Sequence, residues 1–305
     1  MPVIILTLFL IPMAWPSESA AWGIGEHRKA LTLPVLAEQN WANEGATDLV
    51  LDCGTAIDLA DLPKPLGFFA GIVYPGAGDE TRRVAEIAGT APFNSSGTDG
   101  FHFDDLFAYD DIAARWEGLE AWAVERAAAA SAGWGEEARN DYLGVMGMVF
   151  HAVQDFYCHA NWAQLLNPFT QSGSWRPEEF PIWEDLTGDD DGEWQENHAD
   201  FQSPRALAAL RESNTTVSTD HLRGGLQTGR WDAERVRDPQ SGEMIKPWKH
   251  RHPKGEEKIV AEELARRATR RWKEKLIGLL PDSCRADLSS YVAAASASAP
   301  KTSAR

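Results

Sequence analysis

Gly144-Val-Met-Gly-Met-Val-Phe-His151-Ala-Val-Gln-Asp155-Phe-Tyr-Cys-His159-Ala-Asn161-Trp162 is the stretch that decides how this chain folds. It reads as a helix that is apolar all round except for three residues spaced four apart, His151, Asp155 and His159. A step of four advances a helix by roughly 400°, so the side chains drift only about 40° per step and share one narrow stripe. Two imidazoles and a carboxylate on a helix of Val, Met, Phe and Tyr enter the interior with it, and buried polar groups need partners. His-x-x-x-Asp-x-x-x-His offers nitrogen and oxygen donors suited to zinc or a similar ion. The competing reading is a helix whose histidines hydrogen-bond to backbone or to each other. Gly144 and Gly147 each cost the helix about 1 kcal/mol relative to Ala, and close approach of another helix explains their presence.

Toward the N-terminus, residues 109 to 132 are Ala-rich with Trp116, Leu119, Trp122 and Val124, which predicts a helix ended by the Gly133-Trp-Gly135 break. Residues 46 to 65 form a second helical pattern that Pro63 and Pro65 close off. It carries Asp58 and Asp61 three apart on one face, and a solvated helix end is the plain reading of that pair. Residues 28 to 37 read as a first amphipathic helix. The Gly, Pro, Ser and Thr content of residues 67 to 100 predicts a long irregular loop, a kind of segment that is often functional. It ends in Phe101-His102-Phe-Asp104-Asp105, either a ligand site or a local ion pair.

Toward the C-terminus, prolines and the run Asp189-Asp-Asp-Gly-Glu loosen residues 167 to 203. The run lacks the spacing and terminal Glu of an EF-hand, so a solvated turn is expected. A short helix over 204 to 212 precedes an irregular region, 213 to 255, holding His221, His250 and His252. The last strong helix, 256 to 280, places Ile259, Leu264, Ala265, Ala268, Trp272 and Leu276 on its apolar face. Residues 246 to 276 hold eleven Lys/Arg against five Glu, read as an exposed helix face with phosphate attraction as the alternative. No repeat and no strand alternation stands out. The expected architecture is all-α, one multi-helix domain over 22 to 289 with long irregular loops and a disordered Ala/Ser tail over 290 to 305.

A chain of 305 residues, 43% hydrophobic, is enough for a substantial core. Residues 3 to 15 form an apolar segment too short to span a bilayer, followed by Ser19-Ala20-Ala21 with the small residues of a signal cleavage site. Residues 1 to 21 therefore read as an export signal, and the mature chain as secreted or periplasmic. Removing them takes away Glu18 and no Lys or Arg, leaving a formal charge of −16 in place of −17. Such a chain is a poor general binder of polyanions and a reasonable host for divalent cations. Cys53, Cys158 and Cys284 contain no close-spaced pair, which excludes a zinc ribbon and a disulfide framework. Several of the thirteen Trp residues are candidates to line a pocket.

Together these motifs resemble the zinc-dependent phospholipase C and single-strand nuclease superfamily. They run in the order Trp22 with His27, Leu-Ala-Asp61, Phe-His102-Phe-Asp104, and His151-x-x-x-Asp155-x-x-x-His159-Ala-Asn. The central run looks closest to the heterokaryon-incompatibility branch. The resemblance implies an all-helical fold with zinc ions in a cleft. Asp61, His102, His151 and Asp155 would hold one zinc; the amine and carbonyl of Trp22, His27 and the bridging Asp155 would hold a second. His159 would bind a third, but the expected downstream His and acid have only loose candidates in His198 with Gln202, or His221, His250 and His252. The implied chemistry is hydrolysis of a phosphodiester by metal-activated water. Asp58 or Asp104 would act as general base or, preferably, orient a ligand histidine. The expected substrate is a phospholipid or other phosphodiester met at a membrane surface. Single-stranded nucleic acid is disfavoured by the net charge, and a metal-stabilised binding or toxin-like protein without catalysis is the remaining alternative.

Overall fold

The computed structural model describes residues 24–38, 41–61, 71–94, 98–103, 106, 108–187, 194, 197–198, 201, 203–211, 253 and 255–294. The fold is all-α, and no strand occurs among the described residues. None of the described helices is long and apolar enough to cross a membrane. The order is α1 (Ile24–Glu26), a π-helical turn (His27–Thr32), α2 (Leu33–Ala37), α3 (Glu44–Asp61), α4 (Pro75–Ala88), α5 (Tyr109–Ala132), α6 (Glu136–His159), α7 (Trp162–Leu166), α8 (Trp183–Thr187), α9 (Ser203–Arg211), α10 (Glu256–Leu279) and α11 (Asp282–Ala293). The signal-peptide reading of residues 1 to 21 and the acidic run from Asp189 lie outside the described residues.

Helix α6 is the axis of the molecule. Every residue from Tyr142 to His159 is buried, and α3, α5 and α10 pack around it. Its glycines are where α3 crosses. A Cβ on Gly147 would come 2.2 Å from the Val50 carbonyl oxygen, and one on Gly54 would come 3.0 Å from that of Gly147. Only hydrogen at those positions lets two backbones touch, which offsets the helix-propensity cost.

Three expectations need correction. Residues 67 to 100 are not one loop, because α4 lies within them, with Pro75 in its first turn and Ala77, Val84, Ile87 and Ala88 buried along one face. Composition hid this helix: Gly76 is there because a Cβ would fall 2.1 Å from Asp52 Oδ2 on α3. The domain runs past residue 289, since α11 continues to Ala293 and the buried Val292 accepts the Ala42 and Asn43 N–H groups on its carbonyl at 2.8 and 2.9 Å. Residues 295 to 305 lie outside the described residues. Finally, Ile259 is 59% exposed, and the buried face of α10 runs through Val260, Ala261, Leu264, Ala265, Ala268, Trp272 and Leu276. The cysteines are buried free thiols, and Cys158 packs in the core as its position predicts.

Candidate metal centre

Four elements bring acid and imidazole groups to one point. Helix α6 supplies His151, Asp155 and His159, α3 supplies Asp58, the π-helical turn supplies His27, and a 3-10 turn (Asp99–His102) supplies His102. The π-turn has a local cause: Pro34 cannot donate and crowds the carbonyl four residues back, so the preceding ladder widens and Leu33 N–H reaches Arg28 O. His102 is held by its neighbours. Phe101 packs on Trp122 at 5.1 Å between centroids, and Phe103 on Trp116 at 4.9 Å and Phe156 at 5.6 Å. To satisfy both, Phe103 takes a left-handed backbone (φ 49°), a strain on the order of 1 kcal/mol beside a candidate ligand.

The Asp155 carboxylate is the hub. His27 Nε2 and His159 Nε2 lie 3.2 and 3.6 Å from its Oδ1, and His102 Nδ1 and His151 Nε2 lie 2.9 and 3.1 Å from its Oδ2. Asp58 Oδ1 stands 3.8 Å from His151 Nε2. One donor atom each from Asp58, His102 and His151 falls within 4.8 Å of the others, which makes these three a candidate metal-binding group. The side chains of His27, His151, Asp155 and His159 are 6% exposed or less, whereas His102 is 13% and Asp58 25% exposed. Solvent therefore reaches the cluster from the Asp58 and His102 side.

No family model matches the chain, and no curated protein or solved structure does. The reading of this site rests on its own residues.

Hydrogen-bond accounting fixes the state of His27. Thr269 Oγ1 donates its one hydrogen to Ala265 O at 2.7 Å, so toward Gln154 it accepts. The Gln154 amide nitrogen must then face Thr269 and Thr32, at 3.1 and 2.9 Å, which turns the Gln154 carbonyl to His27 Nδ1 at 2.9 Å. Nδ1 therefore carries a proton and Nε2 is the atom presented to Asp155. Burial alone would lower the His27 pKa, but the Asp155 hydrogen bond and charge, aided by Asp58 and Gln154, raise it to about 9. Burial would raise the Asp155 carboxyl, yet the charges of His151 and His159 and the hydrogen bonds from His102 and His151 hold it well below the usual carboxylate range. A protonated His27 answers this anion in the chain alone. A metal cation would do so with better chemistry, since nitrogen lone pairs and carboxylate oxygens converge from all sides.

The donor set fits such an ion. Asp58 Oδ2 is a buried atom with no hydrogen-bond partner among the described residues, and His151 turns Nε2 to the cluster. Of the residues expected at a site, the structure unites His27, His102, His151, Asp155 and His159, and adds Asp58 as a donor in its own right. Trp22 and Asp104 lie outside the described residues. Asp61 ends α3, but its side chain is not among those described. Of the downstream candidates, His198 turns Nδ1 to the Trp194 carbonyl at 2.8 Å and stacks on that indole at 4.2 Å. Gln202, His221, His250 and His252 are outside the described residues. Sequence reading missed Gln154, which is fully buried; a lone amide on an otherwise apolar face was the available signal.

Proposed function

We propose that this chain is an exported, zinc-dependent phosphodiester hydrolase of phospholipase C type, built on the resemblance carried by its motif residues. The observation that supports this most is Asp155 ringed by four imidazoles at 2.9 to 3.6 Å, with Asp58 at the open edge. Asp58, His102 and His151 would hold one ion, and Asp155, His27 and His159 would offer further donors beside it. Bound zinc supplies Lewis acidity, polarising a phosphoryl oxygen and making water a stronger acid. The chain supplies the rest. Gln154 holds His27 in the form whose Nε2 points inward, as the partners of metal-bound histidines generally do. The Asp58 carboxylate, on the side of the cluster that solvent reaches, would take a proton from a water attacking the phosphorus. A phosphate ester, lipid-borne or soluble, would enter from the Asp58 and His102 side, where solvent reaches the cluster.

One observation favours a second reading, a metal that stabilises the fold without catalysis. The space beside His27, His151 and Gln154 is only about 10 Å³, room for a single water. Closed sites are structural and open ones catalytic, so the question is whether the Asp58 side suffices. Two measurements on the purified mature chain decide. Elemental analysis by mass spectrometry is expected to find at least one zinc per chain, and hydrolysis of bis(p-nitrophenyl) phosphate is expected to stop on chelation and return with zinc. Zinc without turnover, together with unfolding by chelator, establishes the structural reading; a chain purified without metal removes both.

A further inference from the structure

Of the four imidazoles around Asp155, three are carried by helical backbone, His27 on the π-turn and His151 and His159 on α6. His102 alone comes from a 3-10 turn of four residues, closed by the Phe101 N–H donating to Thr98 O at 2.9 Å. Bonds of that type are poorly aligned and their runs short, so such a turn does not fix its own place. Yet His102 Nδ1 lies 2.9 Å from Asp155 Oδ2, and His102 forms the candidate metal group with Asp58 and His151. Residues outside the turn have to hold it there.

Two side chains tie the turn to α4 and α3. Asn94 follows α4 and uses both ends of its amide: Oδ1 accepts the Gly100 N–H at 2.9 Å, and Nδ2 donates to the carbonyl of Ala88, the last residue of α4, at 3.2 Å. Contact reinforces this bond. A Cβ on Gly100 would fall 2.9 Å from Asn94 Cα and 3.0 Å from Phe93 Cδ2, so only glycine lets the turn lie directly on residues 93 and 94. Thr98 stands at the N-cap of the turn, where a hydroxyl commonly accepts a backbone N–H. Here it makes no such cap and donates to Ile57 O on α3 at 3.2 Å. Thr98 is fully buried and Ile57 immediately precedes Asp58, so this tie runs through the interior between the His102 turn and the Asp58 backbone. Arg115 of α5 adds a third hold, donating to Gly100 O.

We propose, resting on the metal-centre reading above, that Asn94 and Thr98 are positioning residues of that centre: Asn94 seats the turn and Thr98 sets its distance from α3, so that His102 and Asp58 meet one ion. Neither side chain is a donor there. Each acts through backbone, Asn94 through Gly100 and Thr98 through Ile57. Donors must be held within about 0.5 Å of their working geometry. His151 and Asp155 meet that demand by sharing a helix, whereas Asp58 and His102 come from separate elements and are the more exposed donors of the cluster, at 25% and 13%. Across that edge the loss of a tie shows first.

The test is titration of the full chain with cobalt(II), read by the visible absorption that reports the geometry of its donors, beside equilibrium dialysis against zinc. The parent is expected to bind both ions saturably. Asn94→Ala and Thr98→Val are each expected to weaken cobalt binding about tenfold, the low end for residues that orient metal ligands, and to alter the absorption bands. Thr98→Ser keeps the hydroxyl and is expected to restore both. Tyr142→Phe removes a buried bond of similar kind, to Leu276 O at 2.7 Å, more than two turns before His151 on α6, and is expected to change neither. If Asn94→Ala does not fold, the Thr98 pair carries the comparison. The proposal is overturned if folded Asn94→Ala or Thr98→Val binds cobalt as the parent does, or if Thr98→Ser is as weak as Thr98→Val. It is overturned too if Tyr142→Phe falls as far, since the loss then tracks stability alone. A parent that binds neither ion removes the metal centre itself and the ties with it; a parent that binds while the variants bind alike removes the ties only.

Discussion

Helices α6 and α10 are each 24 residues long and pack against each other, yet they handle charge in opposite ways. In α6 the polar residues of the C-terminal half are buried and answer one another, His151 and His159 facing Asp155 across single turns. In α10 the basic residues other than Lys273 lie toward the surface and several are answered from outside: Lys258 by Glu26, Arg267 by Asp185 and two backbone carbonyls, Arg270 by Glu38, Lys275 by Glu120. Within the described part of the basic stretch, these four cations are therefore each answered by a nearby acid. A buried charge cluster is a site because desolvation makes every missing partner costly; an exposed one is a solvated face because water replaces the partner.

The sharpest way to break this contrast is Asp155→Asn. It removes the anion that four imidazoles face and leaves their donors unanswered in an apolar interior. Breaking a buried charge network from one side costs about 3 to 5 kcal/mol, so a large fall in Tm and loss of bound metal are expected. Arg270→Ala on α10 should cost under about 1 kcal/mol. Equal losses in the two variants, measured by denaturant unfolding, would erase the distinction between the helices.

The glycines sharpen it next. On α6, Gly147→Ala places a Cβ against the Val50 carbonyl and Gly54 N of α3, so the helices must part; overpacking of this kind costs about 1 to 3 kcal/mol. On α10, a Cβ at Gly278 meets nothing within 4 Å, and Gly278→Ala should stabilise by about 0.5 to 1 kcal/mol from propensity alone. Opposite signs in chemical denaturation are the expected result. A stabilised Gly147→Ala would mean that the α3–α6 crossing is looser than its geometry.

What was legible followed the same line. The stripe on α6 showed in the sequence because period and chemistry coincide there: an apolar helix carries acid and imidazole only at steps of four. The long helices α5 and α10 showed because each has one apolar face, and α6 because its C-terminal half is apolar nearly all round. Helix α4 did not, because Pro75, Gly76 and Gly78 in its first turn read as loop composition. Asp58 reads in sequence as a helix-end acid or, through the resemblance, as a general base or a partner of a ligand histidine; its place as a candidate metal donor depends on α3 crossing α6 beside His151. Gln154 is bonded to His27, Thr32 and Thr269, contacts between residues more than a hundred positions apart along the chain, which no local pattern encodes.

An effect of similar size to that at Gly278 tests the exception on α10. Lys273 is fully buried, its ammonium donating to Val35 O at 2.5 Å, and burial lowers its pKa to about 8 despite the pull of Glu38 and Glu274. Here the folded state binds its proton less tightly than the unfolded chain, whose Lys titrates near 10.5. Below about pH 8 the charge is present in both states and weakens the fold by its full amount. As pH rises from about 8 toward 10.5, the folded protein sheds the proton first and this contribution to stability increases. Lys273→Met, of similar volume and without charge, should therefore stabilise the protein at pH 7 by about 1 kcal/mol, the lost Val35 contact offsetting part of the gain. The variant should also lack this rise across pH 8 to 10.5 in denaturant midpoints. A destabilised variant whose alkaline profile matches the parent would show that the ammonium is held at Val35 well enough to bind its proton normally, as the buried groups of α6 hold one another.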